Sequence, residues 1–384
     1  MKIVGLSDSF KGSLSAKQIC DLQTRVAPTL LGEEHVFAAF PVGDGGEGTA
    51  EALLFGEKKR KVSLSITAKN GKKKTAPYFV SEGKAYINAA DAVGISAENR
   101  KEDALLSFTT FGLGELLSAA LSDEEVSEIV IALGGTGTVD GGAGLLTALG
   151  ARLLDAFGRP TGYLPTEISR VASVDLSPAR ARLQNKKLTV LCDTTAPLLG
   201  EQGAIPLFAG QKGASNGGKR YLTSALTTFA STCVSAGATT YETPSSGAAG
   251  GLGFALLCCL GGEAQNGLSY LLQKKGYEEE ISSADAVISG EGYLDGTSLT
   301  GKTVSVLASL CEKHQKPLYL ICGDSEPFLP LPPAVKGVYT LKSFAPPKNA
   351  LAECLLNPKT YYEKALTTAL TEICALQPPN ENDT

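Results

Sequence analysis

Residues 290–303, GEGYLDGTSLTGKT, contain a match to a phosphate-binding pattern: Gly296, four residues, then Gly301, Lys302 and Thr303. In loops of that kind backbone N–H groups wrap phosphate oxygens, the lysine neutralises them and the hydroxyl holds Mg²⁺. The mechanism requires a strand that runs directly into the first glycine. Here the apolar run AVIS ends at Ser289, and Gly290-Glu-Gly-Tyr-Leu-Asp intervenes before Gly296. A Walker-B-like partner is also poorly placed, because a glycine separates Asp324 from the apolar run LYLIC. The match is therefore read as accidental. Lys302 still opens a helical pattern, and helix N-termini favour anions.

The same combination of glycine and acid recurs at the ends of other apolar runs: LSDSFKG (6–12), VGDGGEG (42–48), GGTGTVDGGAG (134–144), LCDTTAPL (191–198) and SGEGYLDG (289–296). The elements that would position these loops alternate. A strand over Lys2–Leu6 precedes a helix from about Ser15, and a strand over Val36–Pro41 precedes a helix from about Glu47. That order predicts α/β layers around a largely parallel sheet, where ligands gather at the carboxyl ends of strands. Between Lys58 and Tyr86 the pattern changes to alternation around KNGKKK, which predicts a β-hairpin turning near Asn70-Gly71 and a domain boundary near residue 60. Further helices are expected at about 112–122, 141–150, 219–235, 248–260 and 264–275, with GAAGGLG as a close-packed helix start. A last alternation runs from Ala286 through a helix at Thr303–Glu312, strands at Pro317–Cys322 and Gly337–Leu341, and a helix at Thr360–Leu376; disorder is expected over PPNENDT.

Composition narrows the function classes. A chain of 384 residues, 43% hydrophobic and 20% charged, has material for two globular domains. Its formal net charge of −5 offers no general attraction to nucleic acid or an anionic membrane, so any phosphate chemistry must be local. The nine cysteines have no C-x-x-C spacing and sit mostly in apolar runs, which reads as small buried hydrophobes in a reducing compartment. Only His35 and His314 could assist a thiol, and the three-residue spacing of Cys311 and His314 is read as coincidence. No apolar run approaches membrane-spanning length and MKIVGLSDSF shows no cleavable signal, so a cytoplasmic protein is expected.

Taken together and in order, the glycine-rich segments resemble the type 1 glycerate kinase family. SDSFKGSLSA (7–16), GDGGEGT (43–49), GGTGTVDGGAGLLTALGARLLDAFG (134–158), CDTTAPLLGEQGA (192–204), GQKGA (210–214), GAAGGLGFAL (247–256) and ADAVISGEGYLDGTSLTGK (284–302) carry the likeness across nearly the whole chain. The resemblance implies ATP- and Mg²⁺-dependent phosphorylation of D-glycerate, with the 2-hydroxyl favoured as acceptor. It also implies two α/β domains, a Rossmann-like parallel-sheet domain (1–60 and 285–384) interrupted by an inserted second α/β domain (61–284), with the active site in the interdomain cleft. No nucleic-acid or membrane partner is implied, and the chain would be a monomer or homodimer.

Phosphoryl transfer needs cations to spread charge, carboxylates to hold Mg²⁺ and a group to orient the attacking hydroxyl. Within the matching motifs, Lys11, Lys212 and Lys302 are the cation candidates. Asp44, Asp140, Asp193 and Asp295 are the carboxylate candidates, followed by Asp8 and Glu47. We expect Lys11, Asp193 and Asp295 in catalysis, and Asp44 and Asp140 at the metal. Asp8, Ser9, Gly135, Thr136, Lys212, Glu291 and Lys302 are expected around substrate and phosphate. Carboxylates also cap helices and turns, and about half of these acids are expected to do only that. Five positions depart from the family pattern: Asn88, Val139, Ala196, Tyr293 and Val304. Tyr293 stands where an arginine is usual and cannot offer a charged fork. Two alternatives to glycerate kinase therefore stand: a kinase for a related small hydroxy acid, or a weakened or non-catalytic nucleotide- or metabolite-binding member. A dinucleotide oxidoreductase fits poorly, because no strand-borne G-x-G-x-x-G is followed by a ribose-binding acid.

Overall fold

A computed structural model describes residues 1–32, 35–299 and 301–376. The chain is α/β and divides into two compact units, one made of Met1–Asp44, Glu51–Phe55 and the chain from Leu268 onward, the other of Gly45–Ala50 and Gly56–Gly267. The expected disorder of PPNENDT lies outside the described residues.

The first unit is built on a five-stranded sheet in the order Val335–Thr340, Leu318–Cys322, Ala286–Gly290, Lys2–Ser7, Val36–Pro41, with every neighbouring pair parallel. Its inner strands read as unbroken apolar runs because helices cover both faces of such a sheet. Helix Ala16–Leu30 starts at a capping box between Ser15 and Gln18 and buries Ile19, Leu22 and Ala27. Helix Pro358–Ala375 buries Tyr362, Leu366, Ala369, Leu370 and Ile373, spaced three and four apart so that one stripe meets Ile3, Ile288 and Ile321 of the sheet. The chain leaves strand Lys2–Ser7 toward Val36–Pro41 on one side, whereas Ala286–Gly290 continues toward Leu318–Cys322 on the other. The gap between the central strands Lys2–Ser7 and Ala286–Gly290 is thus a topological switch point, the place where open α/β sheets present a crevice.

The second unit has a six-stranded sheet in the order Glu263–Asn266, Lys187–Cys192, Glu128–Ala132, Lys84–Asn88, Lys73–Ser81, Arg60–Thr67. The first four strands are parallel and the last two close it as antiparallel partners. The hairpin turns where expected: Ala68 N donates to Lys72 O at 2.6 Å and Gly71 takes φ +82°. Three helical expectations change. GAAGGLG is a close-packed helix start as expected, but with a left-handed turn inside it: Ala249, Gly250 and Gly251 have φ of 56°, 72° and 92°, and helical backbone runs on only from Leu252 through Phe254–Cys259. A Cβ on Gly250 would lie 2.1 Å from Thr138 O, so bare backbone is needed there. Gly141 and Gly142 are also left-handed and delay the next helix to Ala143–Ala148. Glu263–Asn266 is an edge strand, and the helix after it begins only at Gly267.

All nine cysteines are free thiols, buried except for the half-buried Cys374, as expected for small apolar side chains. Among the described residues, no helix is long and apolar enough to cross a membrane.

Candidate functional site

At the switch point of the first unit the loops after the strands enclose a cavity of about 470 Å³. Its walls include Asp8, Ser9 and Lys11 from the loop after Lys2–Ser7, Asp44, Glu291 and Tyr293 from the loop after Ala286–Gly290, and Lys302 and Thr303 at the next helix start. Lys11 is exposed on a tight turn in which Phe10 N donates to Leu14 O at 2.7 Å and Gly12 takes φ +79°.

Asp8 is the most perturbed acid of this wall. Burial first, then the charge of Asp44, pushes its carboxyl up to about 7, against the opposing pull of Ser9 N–H, Lys11 and Thr303. Ser9 N donates to Asp8 Oδ1 at 2.6 Å and Thr303 Oγ1 donates to Oδ2 at 3.1 Å. Burial also raises the Glu291 carboxyl, while a hydrogen bond from Ser298 first, then the charges of Lys302 and Lys11, pull it back. Glu291 Oε1 is buried and makes no hydrogen bond.

Residues 291–302 separate the strand from helix Thr303–Lys313, so the loop is not a P-loop in shape. The first turn of that helix carries no acid, and Lys302 occupies its N-cap without a side-chain cap bond. Asp295 does not line the cavity. Its carboxylate caps the turn Gly296–Leu299 by accepting from Thr297 N at 2.8 Å, Ser298 N at 3.1 Å and Thr297 Oγ1 at 2.6 Å. Those bonds hold its pKa below the usual carboxylate range. Thr297 Oγ1 in turn accepts from Lys302 Nζ at 2.8 Å, so Asp295 acts on the cavity through Lys302.

The remaining expected residues lie in the second unit. Gly134 approaches its neighbours so closely that a Cβ would stand 2.5 Å from Gly46 Cα, and its N–H donates to Gly45 O at 2.8 Å. This contact explains the paired glycines in both motifs. Gly135 is exposed with φ +77° and Thr136 is buried beside it. Lys212 lies beneath them, 4% exposed, with Nζ 3.3 Å from Thr136 Oγ1 and donating to Thr138 O at 3.0 Å. Burial pushes its pKa down to about 7, assisted by Lys69 and opposed by Asp140. Asp193 is exposed just past strand Lys187–Cys192.

Asp140 needs a correction. Expected at a metal, it is fully buried, and its oxygens accept from Thr110 N at 2.7 Å, Thr110 Oγ1 at 2.8 Å, Gly142 N at 3.0 Å and Gly144 N at 3.3 Å. A carboxylate so engaged ties the glycine turn to Thr110 and has no open face for an ion. Among the described residues, no group of three or more His, Cys, Asp or Glu side chains could hold a metal.

Several wall residues were absent from the expected set. Thr303 was visible only as the hydroxyl of the rejected P-loop match, and Asp324 only as its weak partner. Leu341, Leu351 and Leu355 carry no chemical signal in sequence; they reach the cavity because the strand order brings Leu341 and helix Ala350–Leu356 to its far edge. The departures sit differently. Val139, Ala196 and Val304 are buried, whereas Tyr293 is 51% exposed on the cavity rim. Asn88 Oδ1 accepts from Ala50 N at 2.9 Å while Nδ2 donates to Asp91 at 3.2 Å, a double role of acceptor and donor that an amide fills.

Residues 3–374 match the profile of the Glycerate kinase family. The chain is 36% identical over 328 residues to the glycerate 2-kinase of Escherichia coli (strain K12), a match covering 84% of this chain and 85% of that protein. It is 37% identical over 327 residues to the glycerate kinase of Bacillus subtilis (strain 168), with 84% and 85% covered. The crystal structure of a candidate glycerate kinase 2 from Salmonella typhimurium LT2 superposes with a TM-score of 0.78 at 32% identity, covering 98% of both chains.

Proposed function

The chain belongs to the glycerate kinase family, and from that premise we propose that it is a type 1 member that transfers the γ-phosphoryl group of ATP to the 2-hydroxyl of D-glycerate. The observation that carries this reading is the cavity at the switch point, where Lys11 and Lys302 face Asp8, Asp44 and Glu291 across the ends of two parallel strands.

In this reading Lys11 and Lys302 neutralise phosphate oxygens, a stabilisation that grows as charge develops in transfer. Asp295 positions Lys302 through Thr297, and Ser9 N–H fixes Asp8. Asp8 and Asp44 would hold Mg²⁺. Their mutual repulsion in a buried place is what a cation would relieve, and Mg²⁺ needs only one or two carboxylates besides water and phosphate. Bound there, the ion would supply further charge neutralisation at the phosphates. Asp193 accepts the hydrogen bond of the acceptor hydroxyl and orients it. Gly135 and Thr136 offer backbone and hydroxyl groups to substrate, and Lys212 fixes their loop from beneath.

The retained acids and lysines favour a working kinase over a non-catalytic binder. ADP release measured with a panel of hydroxy acids, with and without Mg²⁺, decides between them, and phosphorus NMR of the product identifies the acceptor hydroxyl. D-Glycerate should give the highest rate and 2-phosphoglycerate the product. Asp193→Asn should lower turnover about 10²-fold or more without loss of stability, since the residue is exposed. ATP binding with no turnover of any acid would defeat the reading.

A further inference from the structure

We infer that the cavity of the first unit is the seat of a purine nucleoside triphosphate rather than of the acid, with its base on the apolar wall formed by Leu341, Leu351, Leu355 and Tyr293. This deepens the kinase reading and rests on it. The chemistry of the walls changes in one direction across the sheet. At the ends of the central strands Lys2–Ser7 and Ala286–Gly290 stand Lys11, Asp8, Glu291 and, beyond them, Lys302. At the end of Leu318–Cys322 stands Asp324, ion-paired to Lys342 at 2.7 Å. At the edge strand Val335–Thr340 the wall becomes Leu341, followed by Leu351 and Leu355 of helix Ala350–Leu356.

Leu351 and Leu355 are four residues apart and share one face of their helix. They are 63% and 56% exposed, and the Tyr293 ring is 51% exposed in the same concavity. Two leucines and an aromatic ring left open to water in one pocket call for an apolar, flat occupant. A small hydroxy acid has no such surface, and a cavity of about 470 Å³ is in the range that accommodates ligands of drug size. A nucleoside triphosphate matches the whole sequence of walls. Its base covers the leucines and stacks on Tyr293, its ribose hydroxyls face the Asp324 carboxylate, and its phosphates reach Lys11 and Lys302. Lys342, ion-paired with Asp324, does not line the cavity, whereas Lys11 and Lys302 do, which places the phosphates at their end.

The test uses the full chain and two variants, Leu355→Asp and Tyr293→Ala. Both side chains are more than half exposed, so both variants should melt with the wild type. Initial rates are measured with ATP and D-glycerate varied in turn, alongside calorimetric titration of ATP without acid. Each variant should raise the KM for ATP and the calorimetric Kd about tenfold, while the KM for D-glycerate stays within about twofold. A raised KM for glycerate with ATP unaffected would overturn the inference, as would no change in either. If the wild type releases no ADP with any acid, the kinase reading fails, and the calorimetric comparison still decides whether the apolar wall binds the base.

Discussion

Replacing Asp140 by alanine should destabilise the second unit severely, for reasons of hydrogen bonding alone. The carboxylate is fully buried and is the acceptor for the N–H groups of Thr110, Gly142 and Gly144 as well as for the Thr110 hydroxyl. Each backbone donor orphaned in the interior costs about 1–3 kcal/mol, giving a gross loss of about 3–9 kcal/mol for the three. Burial raises the Asp140 pKa, so part of the gross loss is returned when the desolvated carboxylate is removed. A net loss of about 3–5 kcal/mol is expected for Asp140→Ala. Asp140→Asn keeps the volume and one acceptor oxygen but turns an NH₂ toward one donor, for about 2 kcal/mol. Urea titration followed by circular dichroism reads both, and the alanine variant should unfold about 1–2 M earlier. Midpoints indistinguishable from wild type, accompanied by loss of turnover, would refute this reasoning and return Asp140 to the chemistry.

Other outcomes follow from the same unit. Lys212 has its pKa lowered from 10.5 to about 7 by burial, so the folded state holds fewer protons than the unfolded state between those values. Stability should therefore rise as pH increases from about 7 toward 10, because folding must strip a proton from Lys212 and that cost falls as pH rises, and Lys212→Met should flatten that slope in urea titrations at several pH values. Gly134→Ala should lower stability by about 1–3 kcal/mol and reduce turnover, since its Cβ would stand 2.5 Å from Gly46 Cα and the backbone must move. Equal midpoints for Gly134→Ala and wild type would show that this approach is not needed.

The sheet-forming runs were legible because their period and length leave little choice. KIVGLS, AVISG and LYLIC are apolar on both faces, and only a parallel sheet under two helix layers buries them. The hairpin was legible for the opposite reason, its polar alternation around Asn70-Gly71. GAAGGLG was legible in part: its last residues do start a close-packed helix, but small residues also suit a left-handed turn, and only the approach of Thr138 O to Gly250 reveals the turn that precedes it. Asp140 misled: an acid among glycines looks the same whether it serves an ion or the backbone, and burial alone separates the two. Tyr293 was legible as a lost charge; its place opposite two leucines depends on a short helix some sixty residues later, which no local pattern reveals.

Glycerate-dependent ADP release by the wild type and by Lys11→Ala tests the central claim most directly. Wild type should release ADP only when the acid is present, and Lys11→Ala should fall about 10²-fold or more while unfolding at the same urea concentration. Turnover of the variant at the wild-type rate, or ADP release indifferent to the acid, would contradict a phosphoryl-transfer site built at the ends of the central strands.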